Sequence, residues 1–278
     1  MQNQTQTASG GTALRAKVRT DGRNSPIYRQ KKKELPWILY DVGNSAFTLL
    51  VSAILPIYFN ALVTGAGTGL TETDATAIWG YAASGVTLCV AVISPILGSL
   101  TDYKGFKKPF FFFSAMLGVL GCAALGIPMG WVAFLALFIV TKICYSVSLV
   151  FYDAMLPDIT DFKRVDIVSS KGYAWGYIGS CIPFLISIAL DTAISMPIAF
   201  ILNALWWLGF TIPLTKTYTQ KHFIARGEKV FKQSLGKLTH LLFSKKSTLK
   251  NKKGIILYLL AFFLYIDGVY TVIDMATS

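Results

Sequence analysis

Seven stretches of this chain are long and apolar enough to cross a lipid bilayer, and nearly all of its charge lies between them. A spanning helix needs about 20 mostly apolar residues. The stretches are 36–62, 75–100, 109–127, 131–156, 172–190, 197–214 and 255–278. Lipid offers no hydrogen-bond partners, so each segment must satisfy its own backbone, as a helix does. The expected fold class is therefore an all-α polytopic membrane protein. The chain is 54% hydrophobic and 14% charged, with a mean hydropathy of +0.54. A soluble domain carries about 25% charged residues.

Of the 26 Lys and Arg residues, all but Lys142 fall in four blocks: residues 1–35, the connection holding Lys104, Lys107 and Lys108, the connection holding Lys163, Arg164 and Lys171, and residues 215–254. The alternate connections, around 63–74, 128–130 and 191–196, carry none and hold Glu72, Asp74 and Asp191 instead. Cytoplasmic loops are the ones enriched in Lys and Arg. The alternation predicts a cytoplasmic N-terminus, and a wrong span count would scramble it. The net charge of +12 therefore needs no nucleic-acid partner, since topology and attraction to anionic lipid account for it. Cys89, Cys122, Cys144 and Cys181 are isolated within the apolar runs, which suggests neither a disulfide framework nor a metal site. No cofactor is expected.

The layout that follows has four parts. Residues 1–35 are a polar, basic, disordered cytoplasmic arm without the apolar stretch of a signal peptide. Residues 36–214 form a six-helix bundle. Residues 215–254 are a cytoplasmic linker in which Phe231, Leu235, Leu238 and Leu242 recur at helical spacing beside Lys229, Lys232 and Lys237. That pattern reads as an amphipathic helix on the membrane face. Residues 255–278 are a seventh spanning helix.

The opening of the first run, WILYDVGNSAF at 37–47, places a carboxylate where it costs roughly 2.5–3.5 kcal/mol on insertion scales. Asp41, Asn44 and Ser45 stand at i, i+3 and i+4 and share a helix face. Lys142, Tyr145 and Asp153 fall near one face of the fourth run. Asp267, Tyr270, Thr271 and Asp274 make a third polar stripe in the seventh. Membrane-embedded ionisable residues face a cavity, a partner or the interface, so these are the candidates for contact with a solute or a coupling ion. A gate or a structural pair remains the open alternative for Asp41 and Asp153, and interfacial placement for Asp274. Gly172, Gly176 and Gly179 read as a helix-packing stripe.

The stretch GSLTDYKGFKK, 98–108, lies between the second and third runs. It resembles the signature loop of the major facilitator superfamily: glycine, three residues, aspartate, two residues, glycine, paired basics. Gly98 is expected to let helices approach closely, Asp102 to pair with a cationic group or helix N-terminus, and Gly105 to allow the reversal. Lys107 and Lys108 are expected to hold the loop in the cytoplasm. LYDVGNSAF (39–47), FYDAMLPDI (151–159), KGYAWGYIGS (171–180) and FFLYIDGVYTVI (262–273) resemble the vacuolar amino-acid effluxer branch and its bacterial relatives. Val42-Gly43 departs from the Trp-Ala that is commoner there. The resemblance implies a fold in which the first, fourth and seventh helices line a central cavity.

The resemblance also implies a secondary active transporter working by alternating access. Its partners would be the lipid bilayer, a small polar solute such as an amino acid, and protons for coupling. Two rivals come from other classes. An intramembrane aspartyl protease would use the Tyr-Asp pairs at 40–41 and 152–153, but lacks the Gly-x-Gly-Asp element expected beside them. A seven-helix receptor would fit the span count but not the charge asymmetry. The run ending at MATS offers one six-helix half plus one helix, so the expectation is an incomplete twelve-helix fold. A missing C-terminal half, or another chain, must then cover the seventh helix, and a truncated, inactive fragment is the alternative. The expected location is a bacterial plasma membrane, or a vacuolar membrane in a eukaryote.

Overall fold

The computed structural model describes residues 26–189 and 195–225, and beyond them only 236, 254, 257, 258, 260–265, 268 and 269. Among the described residues every regular element is helical. The order is α1 (Pro26–Ala53), α2 (Leu55–Gly65), α3 (Glu72–Leu100), α4 (Lys107–Ala124), α5 (Trp131–Ile159), a 3-10 turn (Phe162–Arg164), α6 (Val165–Ala189) and α7 (Ser195–Thr217). Five of these helical stretches, α3 to α7, are long and apolar enough to cross a membrane, and α1 with α2 makes a sixth if counted as one bent span. The protein is a multi-pass membrane protein of all-α class.

Two features of the first span differ from the sequence expectation. The helix begins at Pro26, ten residues ahead of the expected start, so residues 26–35 of the supposed disordered arm are helical. The span expected over 36–62 is also broken, with a 42° bend between Ala53 and Leu55. Pro56 stands at the first turn of α2. It has no N–H to give the Ser52 carbonyl, so the helical ladder lapses there. The seventh expected span, 255–278, lies largely outside the described residues, as do Phe231, Leu235, Leu238 and Leu242 of the expected amphipathic helix. Elsewhere the helix ends differ from the expected ones by a few residues. The largest difference is at α6, which starts at Val165 rather than Gly172.

The core is built around α1, which packs most extensively against α6 and α7, while α4 packs against α5 and α7. Glycine makes the first contact close. A Cβ on Gly176 would lie 2.8 Å from the Ser45 hydroxyl oxygen, and one on Gly172 would lie 3.1 Å from an Asp41 carboxylate oxygen. The stripe at Gly172, Gly176 and Gly179 is thus a packing surface for α1. The unusual Val42-Gly43 pair fits the same logic. A Cβ on Gly43 would lie 2.8 Å from Phe210 Cβ, and the Trp206 indole of α7 donates to the Val42 carbonyl at 3.2 Å.

Aromatic rings fill the interior between α1, α5 and α7. Trp37 stacks on Tyr152 with centroids 4.4 Å apart, and Phe47 stacks on Trp207 at 5.5 Å. Leu88, Val92, Leu117, Leu120, Leu185 and Leu205 are exposed. An apolar exterior of this kind is what a bilayer solvates.

Candidate functional site

The polar residues of α1 and α5 meet across an aromatic seam. Trp37 donates to the Tyr152 carbonyl at 3.1 Å, and Tyr152 returns a bond to the Trp37 carbonyl at 3.1 Å. One turn on, a relay crosses three helices. The Trp207 indole donates to the Tyr40 hydroxyl (3.4 Å), Tyr40 bonds Ser148 (3.0 Å), and Ser148 donates to the Tyr145 carbonyl (2.7 Å). These bonds hold the two helices in one register, and that register sets the depth of the charged residues.

Asp41 is buried and accepts from the Asn44 amide at 3.2 Å; the same amide donates to the Tyr40 carbonyl at 3.2 Å. Asp153 is exposed. Asp41 and Asp153 each directly follow one of two tyrosines, Tyr40 and Tyr152, whose rings meet with centroids 4.7 Å apart. Ser45 sits against Gly176. Tyr145 is buried, with its hydroxyl 2.6 Å from that of Thr48. Lys142 is buried on α5, about 16 Å along the helix axis from Asp153 at 1.5 Å per residue. The structure therefore brings Asp41, Asn44, Ser45 and Asp153 together, and sets Lys142 and Tyr145 at a different depth. Asp267, Thr271 and Asp274 lie outside the described residues.

At the basic end of the bundle a second set of charges is arranged differently. Glu34 is buried and takes two bonds from the Arg164 guanidinium, at 2.9 and 2.8 Å, and one from Thr160 at 2.7 Å. Asp158 is 1% exposed. Its Oδ2 receives Lys107 at 2.9 Å and the Tyr218 hydroxyl at 2.6 Å. Its Oδ1 receives the backbone N–H groups of Lys221 and His222, at 3.1 and 2.7 Å, and lies 3.1 Å from His222 Nδ1. Burial, and then the neighbouring Asp158 carboxylate, raise the Tyr218 phenol above its ordinary range, so it stays a donor. A recess of about 320 Å³ opens beside this cluster, lined by Lys33, Asp158, Leu214, Tyr218 and Lys221 among others. It is not lined by the Asp41–Asp153 pair.

The signature loop is folded by the chain that follows α7. Gln220 accepts from the Gly105 N–H at 2.8 Å and donates to the Tyr103 carbonyl at 3.1 Å and the Thr101 carbonyl at 3.3 Å. Ile224 pairs with Tyr103 as an isolated parallel bridge: its N–H donates to the Asp102 carbonyl at 2.7 Å, and its carbonyl accepts from Lys104 at 3.2 Å. The Lys104 ammonium lies 5.0 Å above the Phe223 ring.

The residues of this loop sit in unlike surroundings. Gly105 has a φ of +82°, the left-handed conformation that glycine adopts without strain, and the chain reverses there. Gly98, however, has open space where a Cβ would sit, so among the described residues it admits no neighbouring helix. Asp102 is exposed, and what it contributes is its backbone carbonyl. Lys108 is exposed, but Lys107 is a buried ion-pair partner and not a solvated loop charge. Sequence reasoning passed over Glu34, Asp158, Arg164, Tyr218, Gln220 and His222. Asp158 sits inside the quoted FYDAMLPDI, where a proline-flanked acid at a helix end was a usable signal. Nothing in the local pattern marks Gln220.

The profile of the family described as "Vacuole effluxer Atg22 like" matches residues 29–278. A Bacillus subtilis (strain 168) protein named "Uncharacterized MFS-type transporter YxiO" is 38% identical over 264 residues, covering 90% of this chain and 60% of that relative. The chain thus spans less than two thirds of the length of the curated relative it matches.

Proposed function

This chain belongs to the vacuole effluxer Atg22-like family, and on that premise we propose that it forms part of a secondary active transporter for a small polar solute. The observation that carries the reading is the polar face shared by α1 and α5. Asp41 and Lys142 are buried at membrane depth, an expensive placement that marks solute and ion paths, and Asp153 stands exposed beside Asp41. In this reading Asp41, Asn44, Ser45 and Asp153 hold the solute's cationic group or a coupling proton. Two carboxylates that repel each other readily share one proton. Lys142 and Tyr145 act farther along the path, where the ammonium suits a carboxylate. An amino acid offers both charges, but they are only two bonds apart, so one molecule engages the two levels in succession and not together.

Further helices supply the opposite wall of the path, from a longer chain or from another chain, and Asp267, Thr271 and Asp274 would belong to that wall. The layout taken with this reading is a six-helix bundle over 36–214, a basic linker over 215–254 and a further helix over 255–278, with the basic connections in the cytoplasm. Rocking of the two walls about a midplane site would give alternating access.

The test is uptake of radiolabelled amino acids by liposomes holding the protein, with and without a pH gradient. Movement that is lost in Asp41→Asn and Lys142→Met supports the reading. No movement of any amino acid under any gradient would remove the amino-acid assignment. A second reading draws on the same closeness of Asp41 and Asp153. An aspartyl protease also needs two carboxylates sharing a proton, and cleavage of a membrane-embedded peptide that disappears in both Asp41→Asn and Asp153→Asn would establish it.

A further inference from the structure

The chain just beyond α7 is not used as a plain connector. Between Tyr218 and Ile224 it makes contact with two separate parts of the bundle. Tyr218, Lys221 and His222 all reach Asp158 at the end of α5. Gln220 reaches Thr101, Tyr103 and Gly105 in the loop between α3 and α4. Ile224 continues the loop as a two-residue bridge. Lys107, the first residue of α4, meets the same Asp158. One short segment therefore joins the ends of α5 and α7 to the start of α4.

The bonds fall into two grades. The bonds that Tyr218 and Lys107 give Asp158 are buried and charge-assisted, the strong kind, while those from the Lys221 and His222 N–H groups are part-buried. Those at Gln220 and Ile224 are made by exposed or half-exposed residues. Water competes with exposed backbone bonds, and such elements open locally at low cost. The segment is thus anchored at one end and releasable at the other.

We infer that residues 218–224 form a latch on the signature loop: closed, it holds the loop by Gln220 and Ile224, and it opens by releasing both while Asp158 keeps its root. The closed latch fixes Gly105 in its left-handed turn and so fixes the angle at which α3 passes into α4. The open latch lets that angle change. Asp158 lies five residues beyond Asp153 on the same helix, about 7.5 Å along its axis, so the root of the latch and the acidic face share one rigid element. Nine Lys and Arg residues follow between 226 and 253.

Hydrogen exchange on the full chain in lipid nanodiscs tests the latch. The amides of Lys104, Gly105 and Ile224 are each bonded across it. The Thr160 amide, bonded to Leu156, reports on the neighbouring corner. In the unsubstituted protein the three latch amides are expected to share one protection factor, lower than that of Thr160. In Gln220→Ala all three are expected to speed up by about tenfold, the scale of one lost bond in a local opening, with Thr160 unchanged. Ile224→Pro, which removes the N–H given to Asp102 and also fixes the backbone there, is expected to speed up Gly105 as well. Three unrelated protection factors, an effect of Gln220→Ala confined to Gly105, or a rise at Thr160 as large as that in the loop would each overturn the latch. The first two would show independent contacts, and the last a general loosening of the bundle.

Discussion

Asp153 and Asp158 are the same residue type on the same helix, yet they live under opposite conditions. Asp158 is saturated: a lysine, a phenol, two backbone N–H groups and a histidine ring surround its two oxygens. Asp153 takes no hydrogen bond among the described residues, and its electrostatic neighbour Asp41 is a like charge. Buried carboxylates in proteins are ordinarily paired or bonded. A saturated acid has nothing left to offer a ligand and serves the fold. An exposed acid with no bonded partner adds little to the fold, and it keeps its lone pairs for something that comes and goes.

The comparison can be broken at either end. Asp158→Ala leaves Lys107 buried without its partner, and breaking a buried pair costs about 3–5 kcal/mol. Thermal unfolding of the purified protein in detergent should show the largest loss of any substitution considered, and Lys107→Met in the same chain should restore part of it. Glu34→Gln removes the charge from the bidentate Arg164 pair and is expected to cost about 1.5–3 kcal/mol by the same measurement. Tyr145→Phe deletes the hydroxyl shared with Thr48 and should cost about 0.5–1.5 kcal/mol. Asp153→Asn is expected to change stability by no more than about 0.5 kcal/mol, as for a surface site with no partner to lose, while solute movement falls at least about tenfold. A loss of stability at Asp153 comparable with that at Asp158 would mean that both are structural acids and that the distinction fails.

Much of the fold was legible in the chain, because a bilayer imposes a one-dimensional rule. Any stretch of about 20 apolar residues must close its own hydrogen bonds, and helical periodicity then assigns faces. On that basis Asp41, Asn44 and Ser45 were placed on one face, and Gly172, Gly176 and Gly179 were read as a packing stripe. The break at Pro56 was visible only as a proline, since the same residue type continues unbroken helices at Pro36, Pro95 and Pro183. The loop signature was found, but not the contacts that Gly105 and Lys107 make with Gln220 and Asp158.

Those omissions share a cause. Lys107 and Asp158 are 51 residues apart in sequence, Gly105 and Gln220 are 115 apart, and Glu34 and Arg164 are 130 apart. Periodicity carries no information over such distances. By itself the sequence determined the helical class, the number of apolar runs, the alternation of charge between them and the polar faces of the first and fourth runs. All of these follow from local composition and the repeat of a single helix. Only the tertiary structure decided which carboxylates are satisfied and which are not, because saturation depends on donors delivered by other helices. It also decided that the chain after α7 folds the loop between α3 and α4, since a glutamine side chain becomes a bridge only when packing brings the loop within reach.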